Sequence, residues 1–144
     1  EISRGLVGSE MCIRDSGPLL AANLTVASHL LGSNHVPNLQ GAILVLEDVG
    51  EAPYRIDRML THWRLCGVLQ QLGGIGFGQF EGCDSSPDDP RTTTLAAVLD
   101  ERTADLNIPV VMNLPVGHVC GNAALPMGQL ACLDGNRGSL SLVA

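Results

Sequence analysis

The chain has 144 residues, 45% of them hydrophobic and 16% charged, which is the composition of a folded domain rather than of a disordered segment. Its net charge is −7 and it has no lysine, which argues against partners such as nucleic acid or an anionic membrane surface. No apolar run approaches the roughly 20 residues of a membrane-spanning helix, and five widely spaced cysteines favour reduced thiols in a cytoplasmic protein.

Residues 1–16 show neither a sustained helical period nor an alternating strand period. Their run RGLVGSEMCIRDS resembles a translated sequencing adapter, which indicates a non-native scar rather than part of the fold. We therefore expect this segment to make no core contacts and no sheet pairing, so that its removal leaves the melting temperature nearly unchanged. The native sequence is then expected to begin near Gly17 and to lack a segment upstream.

The remaining elements are predicted from apolar periodicity and from the turn residues that flank each run. Gly17 and Pro18 are expected to interrupt regular secondary structure. Asn23 is expected to cap the first helix and Gly32 to end it. The predicted order is helix, strand, helix, strand, helix, strand and hairpin, over residues 23–31, 41–46, 53–65, 73–80, 93–106, 107–112 and 129–143. This order indicates an α/β fold with a mixed sheet, flanking helices and a C-terminal hairpin.

The predicted strand over residues 73–80 is unusually rich in glycine. Gly74, Gly76 and Gly78 alternate, so one face of the strand is bare and another backbone is expected to pack closely against it. No Gly-Lys-Ser or Gly-Lys-Thr follows, which excludes a phosphate-binding loop of that type.

Two carboxylates, Glu47 and Asp48, follow the apolar run 42–46 directly. Sites in α/β proteins gather at the carboxyl ends of strands, which makes Glu47 the first candidate for chemistry; the alternative is two solvated loop acids. His118 also follows a predicted strand, after a Pro-x-Gly turn. A carboxylate that accepts the Nδ1 hydrogen of a histidine fixes its tautomer, and such a pair is two-thirds of a hydrolase triad.

Three other interpretations of these residues remain open. Glu47, His118 and Cys120 are candidate metal ligands, although a structural zinc site needs four ligands at recognised spacings. Cys120 and His118 are a candidate nucleophile pair, although side chains so close together on one strand do not readily face each other. The third interpretation is a non-catalytic binding domain with the same fold.

Four motifs, GPLLAANLTVASHLLGS, GAILVLEDVGEAPYRIDRML, LPVGH and ALPMGQLACLDG, occur in this order between residues 17 and 143. In sequence and spacing they resemble the C-terminal domain of the LD-carboxypeptidases. These are serine peptidases of the muramoyltetrapeptide carboxypeptidase type, a family that also includes microcin-immunity peptidases. The resemblance assigns residues 17–144 to that C-terminal domain and implies that an N-terminal domain, which carries the nucleophile, is missing.

The resemblance implies a Ser-His-Glu triad in which Glu47 and His118 are the catalytic glutamate and histidine. The family removes the terminal D-alanine from murein tetrapeptides, at a bond that follows an L-configured centre. It does so in the cytoplasm during cell-wall recycling, as a homodimer, without metal or other cofactor. Without a nucleophile, the chain alone is expected to be inactive; the alternatives are a microcin-immunity-type peptidase of the same family and a non-catalytic binding domain.

The chain departs from the family pattern in one motif and leaves another unexplained. The family's Gly-Gly-Asn is Ala21-Ala22-Asn23 here, and none of the serines lies in a Gly-x-Ser-x-Gly elbow. Arg55 and Arg58 of the YRIDR motif either bind substrate, join subunits or are solvated. For the folded chain we expect the Glu47 carboxylate within hydrogen-bond reach of a His118 ring nitrogen and Asp48 on the opposite face of the strand.

Overall fold

The computed structural model of the chain describes residues 2–3, 14–84 and 93–143. In these ranges the strands are β1 (Ile2–Ser3), β2 (Arg14–Asn23), β3 (Ile43–Val49), β4 (Gly74–Glu81), β5 (Val110–Val111), β6 (Leu130–Asp134) and β7 (Ser139–Leu142). The α-helices are α1 (Leu24–Ser28), α2 (Pro53–Leu65) and α3 (Leu95–Thr103), with one 3₁₀ turn over Leu69–Gln71. None of the helices in the described ranges is long and apolar enough to cross a membrane.

The strands form one mixed sheet in the order β1-β7-β6-β2-β3-β4-β5. The four strands from β2 to β5 are parallel, while β6 runs antiparallel to β2 and forms an antiparallel hairpin with β7. The predicted α/β fold with a mixed sheet and a C-terminal hairpin is therefore confirmed. Because β3 lies inside the sheet between β2 and β4, its carboxyl end is flanked by chain on both sides.

Strand β2 is an element that the sequence did not reveal, because Gly17 and Pro18 were expected to break the chain. It pairs with β6 up to Pro18 and with β3 from Leu19 onward, so the proline lies where the strand exchanges partners. A proline is tolerated there because the pairing with β6 ends at Pro18 and the pairing with β3 begins at the next residue. Gly17 is required by close packing, since an added methyl group would lie 1.9 Å from the Gly41 carbonyl oxygen.

The prediction that residues 1–16 make no sheet pairing is wrong for the part that the structure describes. Residues 14–16 pair with residues 132–134 of β6, and Ile2–Ser3 pair with β7. The side chains of residues 14–16 are nevertheless exposed, so they add backbone hydrogen bonds rather than core. Positions 1 and 4–13 lie outside the described residues, and the adapter origin of the segment stays a prediction.

Apolar side chains cover both faces of the sheet. On one face the helices pack through residues such as Ile56, Leu60 and Trp63 of the predicted α2 stripe, all of them buried. On the other face Ile43 and Val45 pack against the segment after β5 and against the hairpin. Since β3 is buried on both faces, its side chains alternate between two enclosed environments.

Two predicted helices are shorter than expected. Helix α1 ends at Ser28. In the turns that follow, hydrogen bonds join residues three apart, such as the Leu30 amide and the Ala27 carbonyl oxygen at 3.0 Å, instead of residues four apart as in an α-helix. Helix α3 ends at Thr103 rather than at residue 106. Asn107 and Asn113 have positive φ angles of 55° and 59°, which confines the predicted strand 107–112 to Val110–Val111.

Candidate active site

Glu47 and Asp48 lie within β3 and not after it, because the strand continues to Val49. The two acids are only 9% and 2% exposed, which excludes the interpretation of two solvated loop residues. Their side chains alternate across the sheet, as expected for neighbours on a strand. Each buried carboxylate therefore needs its own set of hydrogen-bond donors.

Glu47 meets His118 across 71 residues of sequence. The distance from Glu47 Oε2 to His118 Nδ1 is 2.7 Å, which is a short hydrogen bond between a buried carboxylate and a ring whose side chain is 56% exposed. An ionised carboxylate only accepts, so Nδ1 carries the proton and, in the neutral ring, Nε2 keeps its lone pair. The expected contact is present, and it leaves Nε2 available as a base.

A change of register between β3 and β4 lies at Glu47. Leu46 pairs with Phe77, but Asp48 pairs with Phe80, so β4 has one extra residue opposite Glu47. Such a bulge increases the local twist and redirects side chains, and bulges are over-represented next to active sites. Gly78 lies in the bulge and is a residue type that bulges favour, but the alternating glycines by themselves do not locate the register shift.

The bare glycine face of β4 accommodates the segment that carries His118. A methyl group added at Gly78 would lie 2.3 Å from the Val116 carbonyl oxygen and 3.2 Å from Glu47 Cβ. The close backbone approach predicted from the alternating glycines is therefore confirmed at Gly78, whereas Gly74 and Gly76 face side chains. A side chain at position 78 would push the histidine segment away from the carboxylate.

Gly117 is needed next to the histidine for two reasons. Its φ angle is +134°, a conformation that residues with a side chain rarely adopt. An added methyl group would also lie 3.0 Å from the Gln79 carbonyl oxygen and 3.2 Å from Glu47 Oε2. The Gly117 amide donates to Asn122 Oδ1 at 3.0 Å, which helps to hold the turn.

Asp48 points to the opposite face, as expected, and belongs to a separate network. It accepts hydrogen bonds from Asn23 Nδ2 at 3.1 Å, from the Thr25 amide at 2.9 Å and from Thr25 Oγ1 at 2.8 Å. Its Oδ1 also accepts from the Val49 amide at 2.9 Å. These bonds attach the first turn of α1 to the end of β3, beside Glu47.

The thiols were considered in two of the alternative interpretations. Within the described part of the chain, no three His, Cys, Asp or Glu side chains lie together as a metal-binding group, so Glu47, His118 and Cys120 do not form one. Cys120 is an exposed free thiol. Cys83 is buried, and burial raises the pKa of its thiol, which makes it a poor nucleophile.

The arginines of the YRIDR motif lie on the exposed side of α2. Arg55 Nη1 lies 3.3 Å from Glu51 Oε2, and the guanidinium carbons of Arg55 and Arg58 each lie 5.9 Å from the centre of the exposed Tyr54 ring. These contacts are local, within one turn of the helix. They do not distinguish among the three interpretations of this motif.

Comparisons with known proteins identify the family of this chain. Residues 16–133 match the family of LD-carboxypeptidase C-terminal domains. The murein tetrapeptide carboxypeptidase of Pseudomonas aeruginosa is 40% identical over 129 residues, which are 86% of this chain and 40% of that protein. A Synechocystis protein assigned as a carboxypeptidase is 50% identical over 127 residues, which are 88% of this chain and 42% of that protein.

A solved structure extends the similarity to three dimensions. The muramoyltetrapeptide carboxypeptidase from Oxalobacter formigenes superposes with a TM-score of 0.80 at 32% identity. The match covers 94% of this chain and 47% of that one. This chain therefore spans less than half the length of the relatives that it matches.

Proposed function

The chain belongs to the LD-carboxypeptidase family, and from this premise we propose that its Glu47 and His118 are two members of a Ser-His-Glu triad that removes terminal D-alanine from murein tetrapeptides. The observation that carries the proposal is the 2.7 Å contact between Glu47 Oε2 and His118 Nδ1. A histidine whose Nδ1 hydrogen is held by a buried carboxylate is prepared to act as a base through Nε2.

In the proposed reaction His118 Nε2 removes the proton of a serine hydroxyl as the oxygen attacks the carbonyl carbon before D-alanine. The imidazolium that forms is stabilised by the Glu47 carboxylate, which stays ionised. His118 then returns the proton to the leaving amine of D-alanine, and an acyl-enzyme remains. Water, activated by the same nitrogen, hydrolyses this ester and regenerates the serine.

We assign the nucleophilic serine to a part of the protein outside residues 17–144. The family resemblance implies a separate domain for it, and the relatives are about twice as long as this chain or longer. The exposed side chain of His118 supports this assignment, because a general base must be reachable by the residue whose proton it accepts. We extend the proposal to a homodimeric protein that acts in the cytoplasm on recycled murein peptides.

The proposal is tested in a chimera in which residues 16–133 replace the matching domain of the Pseudomonas aeruginosa enzyme. We expect it to release D-alanine from a murein tetrapeptide. His118→Ala should lower kcat by at least about 10³-fold, the scale at which triad residues matter. His35→Ala is the matched control, since His35 is exposed in a turn and should leave kcat unchanged.

Two results would contradict the proposal. One is a chimera that folds and binds the tetrapeptide but whose activity is the same with His118→Ala as without it. The other is D-alanine release by the 144-residue chain alone, above its own His118→Ala variant, because the assigned nucleophile lies elsewhere. Activity on an antibiotic peptide, with none on the tetrapeptide, would favour the microcin-immunity peptidases instead.

A further inference from the structure

The histidine segment is held by a residue that the family motifs do not include. Gln79 follows Gly78 in β4, at the point where the register shift places an extra residue opposite Glu47. Its backbone amide donates to the Val116 carbonyl oxygen at 2.7 Å. Its side-chain Nε2 donates to the Leu114 carbonyl oxygen at 3.0 Å.

These two bonds hold both ends of one tight turn. The Val116 amide donates to the Leu114 carbonyl oxygen at 2.8 Å, which closes a three-residue turn immediately before Gly117 and His118. Gln79 binds the carbonyl of the first residue through its side chain and that of the third through its backbone. The turn sets the direction in which the chain enters Gly117, and therefore the position of the His118 side chain.

Apart from its hydrogen bond to Glu47, the His118 ring relies on the position of this segment. More than half of its side chain is exposed, so packing does not fix the ring. The first residue of the turn, Leu114, is buried, and its amide donates to the Phe77 carbonyl oxygen at 2.9 Å. Between Leu114 and the ring, the Gln79 amide group is the side chain of β4 that binds the turn.

We infer that Gln79 is a positioning residue: its side-chain amide holds the Leu114–Val116 turn so that His118 Nδ1 stays within hydrogen-bond reach of Glu47. A hydrogen bond of 2.7 Å is lost when its atoms separate by about 1 Å, so a small shift of the turn is enough. The significance of Gln79 for catalysis rests on the proposed function. Its effect on the orientation of the His118 ring does not rest on that function, because the orientation is a property of the folded chain.

The test measures the His118 tautomer in the full 144-residue chain by ¹⁵N NMR of labelled histidines, with His118→Gln to assign the signal. In the wild type, the Nδ1–H form should predominate, because Glu47 accepts that hydrogen. Gln79→Met has similar length but no donor, and should lower the ratio of the Nδ1–H to the Nε2–H form by about ten-fold or more, the contribution of one charge-assisted hydrogen bond.

A matched control separates this effect from the loss of any glutamine. Gln71 also donates through Nε2 to a backbone carbonyl, that of Gly67 at 2.9 Å, but in an exposed 3₁₀ turn. Gln71→Met should leave the His118 tautomer ratio at the wild-type value. If Gln79→Met does not fold, Gln79→Glu serves the same purpose near neutral pH, because it has the same shape and no hydrogen to donate.

The inference is overturned if a folded Gln79→Met or Gln79→Glu variant keeps the wild-type tautomer ratio, or if Gln71→Met changes it equally. The tautomer ratio is measured without any assay of activity. An inactive chimera would therefore count against the proposed function, whereas the NMR experiment alone decides whether Gln79 positions His118.

Discussion

Removal of the charge from two adjacent acids of β3, Glu47 and Asp48, should affect stability and activity to different extents. We predict that Asp48→Asn lowers the free energy of unfolding by about 2–4 kcal/mol, whereas Glu47→Gln lowers it by less than about 1 kcal/mol. The reason is the number and burial of the groups that each carboxylate satisfies. Glu47→Gln should nevertheless remove most of the activity of a chimera that Asp48→Asn leaves measurable when it is folded.

The magnitude for Asp48 follows from its hydrogen bonds. Oδ1 accepts from Asn23 Nδ2 and the Val49 amide, and Oδ2 accepts from the amide and hydroxyl of Thr25. An asparagine has one oxygen, so it can serve one of these pairs and must point its NH₂ group at the other. Loss of about two bonds to a buried charged group costs roughly 2–4 kcal/mol.

The magnitude for Glu47 is smaller because, within the described parts of the chain, its carboxylate has one side-chain partner. That partner, His118, is 56% exposed, and a bond to such a ring contributes at most about 1 kcal/mol to folding. A glutamine oxygen can also still accept the Nδ1 hydrogen. What it lacks is the negative charge that stabilises the imidazolium.

The assay is urea unfolding followed by the fluorescence of Trp63, the sole tryptophan of the chain. Trp63 is 3% exposed and its Nε1 donates to Ser28 Oγ of α1 at 2.8 Å, so it reports on the helix that Asp48 anchors. With a slope near 2 kcal/mol per molar urea, Asp48→Asn should move the midpoint by about 1–2 M. Equal midpoint shifts for the two variants, or a larger one for Glu47→Gln, would refute the reasoning.

Two further predictions concern the edges of the fold. Deleting residues 1–16 removes β1 and the first three residues of β2; because of this pairing we replace the expectation of an unchanged melting temperature by a decrease of roughly 3–6 °C, and an unchanged value would show that the pairing adds no stability. The second concerns pH: the hydrogen bond from Arg64 lowers the pKa of the Asp105 carboxyl below its usual 3.8. The pair stabilises the fold above that usual pKa and is lost as the pH falls through the lowered one. The difference in melting temperature between wild type and Asp105→Asn should therefore shrink as the pH falls below 3.8, and a constant difference would contradict this assignment.

The sequence by itself determined the features that depend on local pattern. The apolar run before Glu47 identifies a buried strand, the stripe from Ile56 to Trp63 identifies α2, and the alternating glycines identify the bare face of β4. The motifs around Glu47 and His118 were enough to identify the family. Such signals are short-range, since they arise from side-chain period and turn residues within one element.

Only the tertiary structure decided the features that depend on two segments meeting. Pro18 lies inside a strand because β2 changes partners there, which no local pattern records. The register shift at Glu47 is a relation between β3 and β4, and the role of Gln79 appears only when the turn before His118 lies on β4. These features are set by long-range packing and backbone pairing. They therefore cannot be predicted from the local pattern of residues in one element.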